Sequence, residues 1–389
     1  MHSGNHRATG CWLVLDEATG ISKSFEKKYD AILSADQTGH ELCFYFHNSI
    51  WENFDKSKLD QQDLNKLYAD RAQQLRDKYK WLVLHYSGGS DSHNILHTFL
   101  SNRIKLDEIS IRWPKPWLDK KFYKPNNIDT SAKNAPSEFD YTIEPVLKHI
   151  QTYHPEIKIN IVDYTDNLHS FASSSLLSDR IISINSSRSA FGSILQRLDP
   201  GTDRKMSTVD NNTGHIFGIE KPMLYLKDND LYFYFSDVSF DTIRMEDDFN
   251  VEPFYWTGDF PLLPMAQAYQ VGIFFKNNPQ YQSLIPGPGK SVQQQTSEGT
   301  LYQKLLKTIL YKQSWDLNKF QVDKPNVDRS DWHSWAHQSP ELKNLNLLFK
   351  NVMHDLTSTI DAQYVIETES ARLFAPRRTK LFHLMKISA

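Results

Sequence analysis

Apolar and polar positions follow two patterns along the chain, short apolar runs that predict strands and apolar residues at helical spacing that predict helices. Short apolar runs, typical of buried strands, occur at 81–86, 108–113, 157–164, 215–219 and 231–236. Between them, apolar residues at helical spacing occur at 92–100, 139–152 and 190–198. Strands that alternate with helices favour βαβ units and a largely parallel sheet with helices on both faces. We therefore expect an α/β domain over 76–245.

The two ends of the chain carry different patterns. Apolar runs at 11–15 and 41–47 predict strands of a small N-terminal β-containing extension, residues 1–75. A polar helix is predicted after these strands, over about 57–80. Helical periodicity at 261–275, 300–311 and 340–359 predicts a mainly helical C-terminal domain, residues 246–389. The segment 285–299 is rich in Pro, Gly, Ser and Gln, which predicts a loop.

Composition limits the function classes without selecting one. The chain has 389 residues, more than one ordinary domain, and its net charge of −3 gives no general attraction to nucleic acid or anionic lipid. Two cysteines, Cys11 and Cys43, exclude a disulfide framework and a CxxC pair. The polar start is not a signal peptide, and no apolar run approaches the roughly 20 residues that span a bilayer. We expect a cytoplasmic protein with no membrane partner.

The segment SGGSDS, at residues 87–92, joins a predicted buried strand to a predicted helix. In an open α/β sheet, ligands bind at the carboxyl ends of strands. Gly88 and Gly89 allow a tight turn and close approach of an anion, and the amides at the helix start favour phosphate. A carboxylate at Asp91, beside such a phosphate, requires a cation, and Mg²⁺ suits that position. The segment therefore predicts a magnesium-nucleotide site.

SGGSDS also matches the SGGxDS signature at every fixed position, and over about residues 78–240 the chain resembles the PP-loop ATP pyrophosphatases. That family includes the synthetase domains of asparagine, GMP, NAD and argininosuccinate synthetases, and enzymes that modify tRNA or nucleobases. The resemblance implies a parallel sheet of the adenine nucleotide α-hydrolase type. It also implies ATP and Mg²⁺ as cofactors and cleavage of ATP to AMP and pyrophosphate, with adenylation of a substrate oxygen.

The resemblance also implies roles for individual residues. The pyrophosphate part of ATP would be held by four residues of the turn, Ser87, Gly88, Gly89 and Ser92. Ser90 would add a further hydroxyl donor. Asp91 would bind Mg²⁺ and take part in catalysis, and the end of the second strand, with Arg112, would lie near the adenine.

A second, less specific motif is GIEKP at 218–222, which also follows a strand. In it Glu220 would share the Mg²⁺, and Lys221 would act catalytically by neutralising charge on the leaving pyrophosphate. An exposed turn that ends in proline explains the same residues nearly as well. Asp237, at the end of the strand predicted at 231–236, is a weaker acidic candidate.

Other patterns carry less weight. His93 and His97 lie four residues apart but lack the glutamate of a zinc peptidase motif, so partly buried or surface histidines are expected. The aromatic sequence FYWTGDF at 254–260 suits packing better than a substrate pocket. A solvated tail explains the basic run APRRTK, at 375–380, better than a contact with a phosphate or a nucleic acid.

Three functions are consistent with these residues. The preferred one is ATP-dependent C–N ligation, most like the synthetase half of asparagine-synthetase-type proteins. There a carboxylate or amide oxygen of an unknown small-molecule acceptor is adenylated, and ammonia or an amine displaces AMP. A glutaminase domain is not expected in the roughly 75 residues before the α/β domain, and both cysteines precede the motif, which disfavours sulfur transfer. The alternatives are modification of a nucleobase or tRNA, and a non-catalytic nucleotide-binding module.

Overall fold

The computed structural model describes residues 10–16, 18–112, 143–162, 212–218, 222–239, 250–288, 297–314, 340–367 and 372–387. Within these ranges the strands are β1 (Cys11–Asp16), β2 (Ile21–Phe25), β3 (Glu41–Tyr45), β4 (Trp81–His85), β5 (Glu108–Arg112), β6 (Lys158–Val162), β7 (Thr213–Phe217), β8 (Met223–Lys227), β9 (Asp230–Tyr234), β10 (Asn250–Pro253), β11 (Val365–Glu367), β12 (Arg372–Phe374) and β13 (Phe382–Lys386). The α-helices there are α1 (Lys28–Thr38), α2 (Asn48–Glu52), α3 (Leu64–Lys78), α4 (Ser90–Ser101), α5 (Glu144–Tyr153), α6 (Leu262–Asn277), α7 (Ser297–Leu310) and α8 (Pro340–Thr357). No described helix has the length and apolar character that a membrane span requires.

Five strands form an all-parallel sheet in the order β10-β7-β4-β5-β6. Strand β4 lies at its centre, where Val83 aligns with His215 of β7 on one side and with Glu108 of β5 on the other. Helix α4 follows β4 and helix α5 precedes β6, so the sequence-based prediction of an α/β architecture with a parallel sheet is confirmed. The arrangement is that of a Rossmann-like α/β domain.

The order of the strands places a topological switch point beside β4. The chain runs from β4 to β5 and β6 on one side, and β7 and β10 lie on the other side. At such a point the connections diverge, which leaves a crevice at the carboxyl ends of the two strands. Here the crevice lies between the ends of β4 and β7, next to the SGGSDS segment.

The strand predicted at 231–236 is present as β9, but its assignment to the parallel series is wrong. Strands β8 and β9 form a hairpin, and β13 pairs with β9 to complete a separate antiparallel sheet. Asp228 and Asn229 both have positive φ and connect Lys227 to Asp230, the geometry of a two-residue hairpin turn. This turn returns the chain at once, without a crossover helix.

The fifth strand of the parallel sheet is β10, which the apolar pattern did not reveal because it is short and contains Glu252. The sheet therefore extends past residue 245, where the sequence pattern placed the end of the α/β domain. Arg71 of α3 neutralises the buried Glu252 at 2.9 Å, and Lys78 contacts it at 2.6 Å. This ion pair attaches helix α3 to the edge strand.

The expected C-terminal helices are confirmed as α6, α7 and α8, and the described C-terminal residues also supply β11, β12 and β13. The N-terminal strands expected at 11–15 and 41–47 are confirmed as β1 and β3. They form an antiparallel sheet with β2, a strand that polar and exposed residues had hidden from the apolar pattern.

A buried ion pair connects helix α1, which contacts the N-terminal sheet, to the rest of the chain. Lys28 Nζ lies 2.8 Å from Asp237 Oδ2, and both side chains have 0% exposure. The indole of Trp12 donates to the same oxygen at 3.0 Å, and the Arg377 amide donates to Oδ1 at 2.9 Å. Asp237, a weaker acidic candidate in the sequence, thus joins three segments of the fold as a structural residue.

Replacing Lys28 by Met is expected to destabilise the protein by about 3–5 kcal/mol, because it leaves the carboxylate of Asp237 charged and buried. The free energy of unfolding, measured in urea, tests this. Lys66→Met is the matched control, since the Lys66–Asp70 pair is 73% and 43% exposed and should contribute about 0.5 kcal/mol or less. Equal losses in the two variants would contradict the structural role of the buried pair.

Candidate functional site

The turn between β4 and α4 depends on the conformations of its two glycines. Gly88 has a φ of +73°, in the left-handed region where side chains other than glycine are strained. Gly89 then returns to an extended conformation, with φ −76° and ψ 162°, and caps the start of α4. The central buried strand therefore reverses into a helix within a few residues, and the positive end of the helix dipole lies at the turn.

Two serines fix the shape of the turn. The Ser92 hydroxyl donates to the Gly89 carbonyl at 3.1 Å and accepts from the Ser87 amide at 3.2 Å. The Ser87 hydroxyl lies 3.2 Å from that of Ser92 and accepts from the Gly89 amide at 3.3 Å. Ser92 and Ser90 are buried, whereas Ser87 is exposed. The hydroxyls thus hold the turn in one shape, and Ser87 lies where a ligand has access.

Asp91, in the first turn of α4, is held by two tyrosines from distant parts of the chain. The hydroxyl of Tyr311, which follows α7, donates to the carboxylate Oδ1 of Asp91. The hydroxyl of Tyr255 donates to the Asp91 carbonyl at 2.8 Å. Burial and, next, the negative charge of Asp91 raise the pKa of Tyr311 well above its usual value. Tyr311 therefore stays protonated at neutral pH and keeps donating to the carboxylate.

The same two segments also fix Asn94, one helical turn further along α4. Its amide donates to Tyr255 Oη at 3.0 Å, and its carbonyl oxygen accepts from Ser314 at 2.6 Å. The residues from Tyr311 to Ser314 therefore cross the start of α4 and contact it at two points. Sequence reasoning missed the contacts of Tyr311 and Tyr255 with Asp91, because these residues lie 220 and 164 positions away; Tyr255 was noted only as part of the aromatic FYWTGDF sequence.

A cluster of three tyrosine rings supports these contacts. The ring of Tyr68, on α3, lies 5.8 Å from that of Tyr255 and 6.3 Å from that of Tyr311, while the latter two are 5.8 Å apart. The Tyr68 hydroxyl donates to the Leu310 carbonyl at 2.9 Å. Within the FYWTGDF sequence, Phe254 and Trp256 are fully buried, which confirms packing as their role.

Strand β7 brings the second predicted motif next to the turn. Gly218 follows β7 directly, and a Cβ atom on it would lie 3.0 Å from the Ser92 nitrogen and 3.1 Å from the Asp91 carbonyl carbon. The first residue of the GIEKP motif therefore touches the start of α4. Glu220 and Lys221 lie outside the described residues. Arg112 is the last residue of β5, paired with Val162, so its backbone lies at the same carboxyl edge of the sheet.

The remaining sequence candidates lie apart from the turn or support it. His93 Nδ1 lies 3.2 Å from the Tyr86 hydroxyl, and burial, with a smaller effect of His97, lowers the pKa of His93 to about 4. The basic C-terminal run is not the solvated tail that was expected, because Thr379 is buried and its amide donates to the Phe235 carbonyl at 2.9 Å. The Arg377 guanidinium lies over the ring of Tyr364 at 5.0 Å. In the part of the chain that the structure describes, no three His, Cys, Asp or Glu side chains converge as metal ligands.

Gly218→Ala is expected to destabilise the protein by about 1–3 kcal/mol, because the added methyl group meets backbone atoms of α4 that cannot move aside. Gly272→Ala in α6 is the control. There the methyl group meets the ends of the Leu231 and Met385 side chains, and alanine adds up to about 1 kcal/mol of helix propensity. Unfolding in urea should show a lower free energy of unfolding for Gly218→Ala and a higher one for Gly272→Ala. Equal, small effects would mean that β7 and α4 are not in tight contact.

Comparison with known proteins places the chain in no family. No family model matches its sequence, and a search of curated proteins finds no match. The function must therefore be inferred from the geometry of the turn, from its buried contacts and from its position in the parallel sheet.

Proposed function

We propose that the chain is an ATP-dependent adenylating enzyme of the PP-loop type, which cleaves ATP to AMP and pyrophosphate in order to form a C–N bond. The observation that carries the proposal is the SGGSDS turn. It follows the central strand of a parallel sheet, borders the topological switch point and begins a helix. The left-handed Gly88 and the exposed Ser87 lie at the N-terminus of that helix, where backbone amides and the helix dipole favour a phosphate.

The donor set at the turn fits Mg²⁺. Asp91 supplies one carboxylate there, in the first turn of α4. Mg²⁺ in nucleotide sites is bound in this way, by one or two carboxylates together with phosphate oxygens and waters. Glu220 is the candidate for a second carboxylate, because its segment begins at Gly218, in contact with the start of α4. When bound, Mg²⁺ would neutralise charge on the triphosphate.

The chain's own residues would act mainly through electrostatics and positioning. The amides at the start of α4 and the dipole of that helix would hold the phosphates, and Tyr311 would keep the Asp91 carboxylate in one orientation. Lys221 would neutralise the pyrophosphate as it leaves. An acceptor oxygen would attack the α-phosphorus while the bond to pyrophosphate breaks. Ammonia or an amine would then displace AMP from the adenylated acceptor.

Product analysis tests the reaction class. The chain would be incubated with ATP and Mg²⁺ and a panel of carboxylates, nucleobases, tRNA and ammonia. AMP and pyrophosphate, stimulated by one carboxylate or amide acceptor, are the expected products. ADP and phosphate would overturn the proposal. Stimulation by a nucleobase or tRNA would select modification in place of ligation, and tight ATP binding without turnover would indicate a binding module.

Asp91→Asn is expected to lower the rate of AMP formation by about 10²-fold or more, because the amide cannot balance the charge of the metal and phosphates. Its affinity for ATP without Mg²⁺ should change little, since the amides of the turn remain. Asp70→Asn, a surface carboxylate of α3, is the matched control and should keep full turnover. An Asp91→Asn variant with the wild-type rate would exclude Asp91 from the reaction.

Tyr311→Phe is expected to weaken Mg²⁺-dependent ATP binding by about 10–100-fold, because a residue that orients a metal ligand typically has an effect of that size. Calorimetric titration of ATP with and without Mg²⁺ measures this effect. Tyr302→Phe is the matched control, since Tyr302 is a buried tyrosine of α7 that bonds to the Leu224 backbone. If both variants lose the same affinity with and without Mg²⁺, Tyr311 contributes to stability only.

A further inference from the structure

The two faces of the parallel sheet differ in chemistry. The face covered by α3 and α4 carries buried aliphatic residues in register, namely Leu82, Leu84, Ile109, Ile111 and Ile216. The opposite face carries Trp81, Val83 and Phe217 together with five polar residues in register, namely His85, Glu108, Ser110, Thr213 and His215. Four of these five are no more than 4% exposed, and His85 is half-buried. Parallel sheets are usually apolar on both faces, so this polar face requires a reason.

Pairing within the sheet accounts for one part of the polar face. Glu108 accepts from Lys158 at 2.9 Å and from Asn160 at 3.0 Å, both on the neighbouring strand β6. These three residues form a neutralised group at the amino-terminal side of the sheet. His85 is the last residue of β4, whereas His215, in the middle of β7, lies at the same level as Glu108, with Val83 of β4 between them.

The histidines form a pair at the switch point. His85 Nε2 lies 3.1 Å from His215 Nδ1, within hydrogen-bond distance. The His85 ring also stacks on Phe217, with ring centroids 4.0 Å apart and an angle of 11° between the planes. His85 precedes Ser87 by two residues, and Phe217 directly precedes Gly218. The half-buried His85 therefore lies beside the SGGSDS turn, and the buried His215 contacts it from β7.

Two hydrogen-bonded imidazoles can take up one proton and share it. In the contact between them one ring donates and the other accepts, so at least one ring is neutral in this geometry. A neutral imidazole beside a reacting group is the commonest general base in enzymes. The stacked Phe217 restrains the His85 ring, which keeps the pair in position.

We infer that the His85–His215 pair accepts the proton that the attacking nitrogen loses when it displaces AMP. This inference rests on the proposed function. In the step, the nitrogen lone pair forms the C–N bond to the adenylated carbon, and the bond from that carbon to the AMP oxygen breaks. The electron pair leaves with AMP, and one proton passes from the nitrogen to the histidine pair. Release of that proton to water restores the pair, and no oxidant or reductant is required.

The test separates the two half-reactions. His85→Gln and His215→Gln would be assayed with the acceptor that the product panel identifies. Adenylation is followed by exchange of labelled pyrophosphate into ATP, and ligation by product formation with ammonia. Exchange should stay within about twofold of wild type, whereas ligation should fall by about 10²–10⁴-fold, the usual contribution of a general base. His97→Gln, a half-buried histidine of α4 outside the pair, is the control and should keep both activities.

Hydroxylamine provides a readout that a purely structural role would not change. Its adduct gives up a proton to water more readily than that of ammonia, so the variants should lose less ligation with hydroxylamine than with ammonia. Equal losses with the two nucleophiles, a parallel fall in exchange, or a His85→Gln variant with wild-type ligation would each overturn the inference. His85 is only half-buried, so this variant decides the question even where His215→Gln fails to fold.

If the proposed function itself is wrong, the wild-type chain gives a different result. A wild-type chain that shows no pyrophosphate exchange with any acceptor would overturn the proposed function and this inference with it. A wild-type chain that exchanges and ligates, with variants equal to it, would overturn the role of the histidine pair alone.

Discussion

The burial of strand β4 between β5 and β7 is the constraint on which the rest of the site depends. Because β4 is paired on both sides, its carboxyl end has a fixed position, and the chain must leave the sheet there. The left-handed Gly88 allows that exit, and α4 begins immediately afterwards. The first turn of α4 then lies between the end of β7, at Gly218, and the two tyrosines of the C-terminal region.

Two buried ion pairs hold the layers around this centre. Arg71–Glu252 attaches helix α3 to the edge strand β10, and Lys28–Asp237 attaches helix α1 to the segment after β9. Neither pair lies at the SGGSDS turn. Charge in this fold thus has two separate uses, since some carboxylates fix the arrangement of segments while Asp91 is oriented by a neutral hydroxyl.

The sequence was most informative where local chemistry alone decides the structure. The strands at β4 and β5 and the helix between them follow from apolar periodicity, and the glycines marked the turn. Strand β9 was placed in the wrong sheet because an apolar run does not show whether a hairpin or a crossover precedes it. Asp228 and Asn229, both with positive φ, form the hairpin turn that pairs β9 with β8. Strand β10 was missed because Glu252 interrupts its pattern, although Arg71 neutralises that charge from a distant helix. Tyr255, Tyr311 and the His85–His215 pair depend on contacts that only the folded chain creates.

The contacts of Tyr255 and Tyr311 have a consequence for how this protein can be divided. A fragment that ends at residue 245 would contain the whole SGGSDS signature and four of the five parallel strands. It would lack the edge strand β10, the partner of Arg71, and both hydroxyls that hold Asp91. The SGGSDS signature is therefore continuous in the sequence, but the residues that hold it in place come from distant segments of the chain. Insertions, truncations and gene fusions that separate residues 250–314 from the turn would leave the motif intact and remove its support.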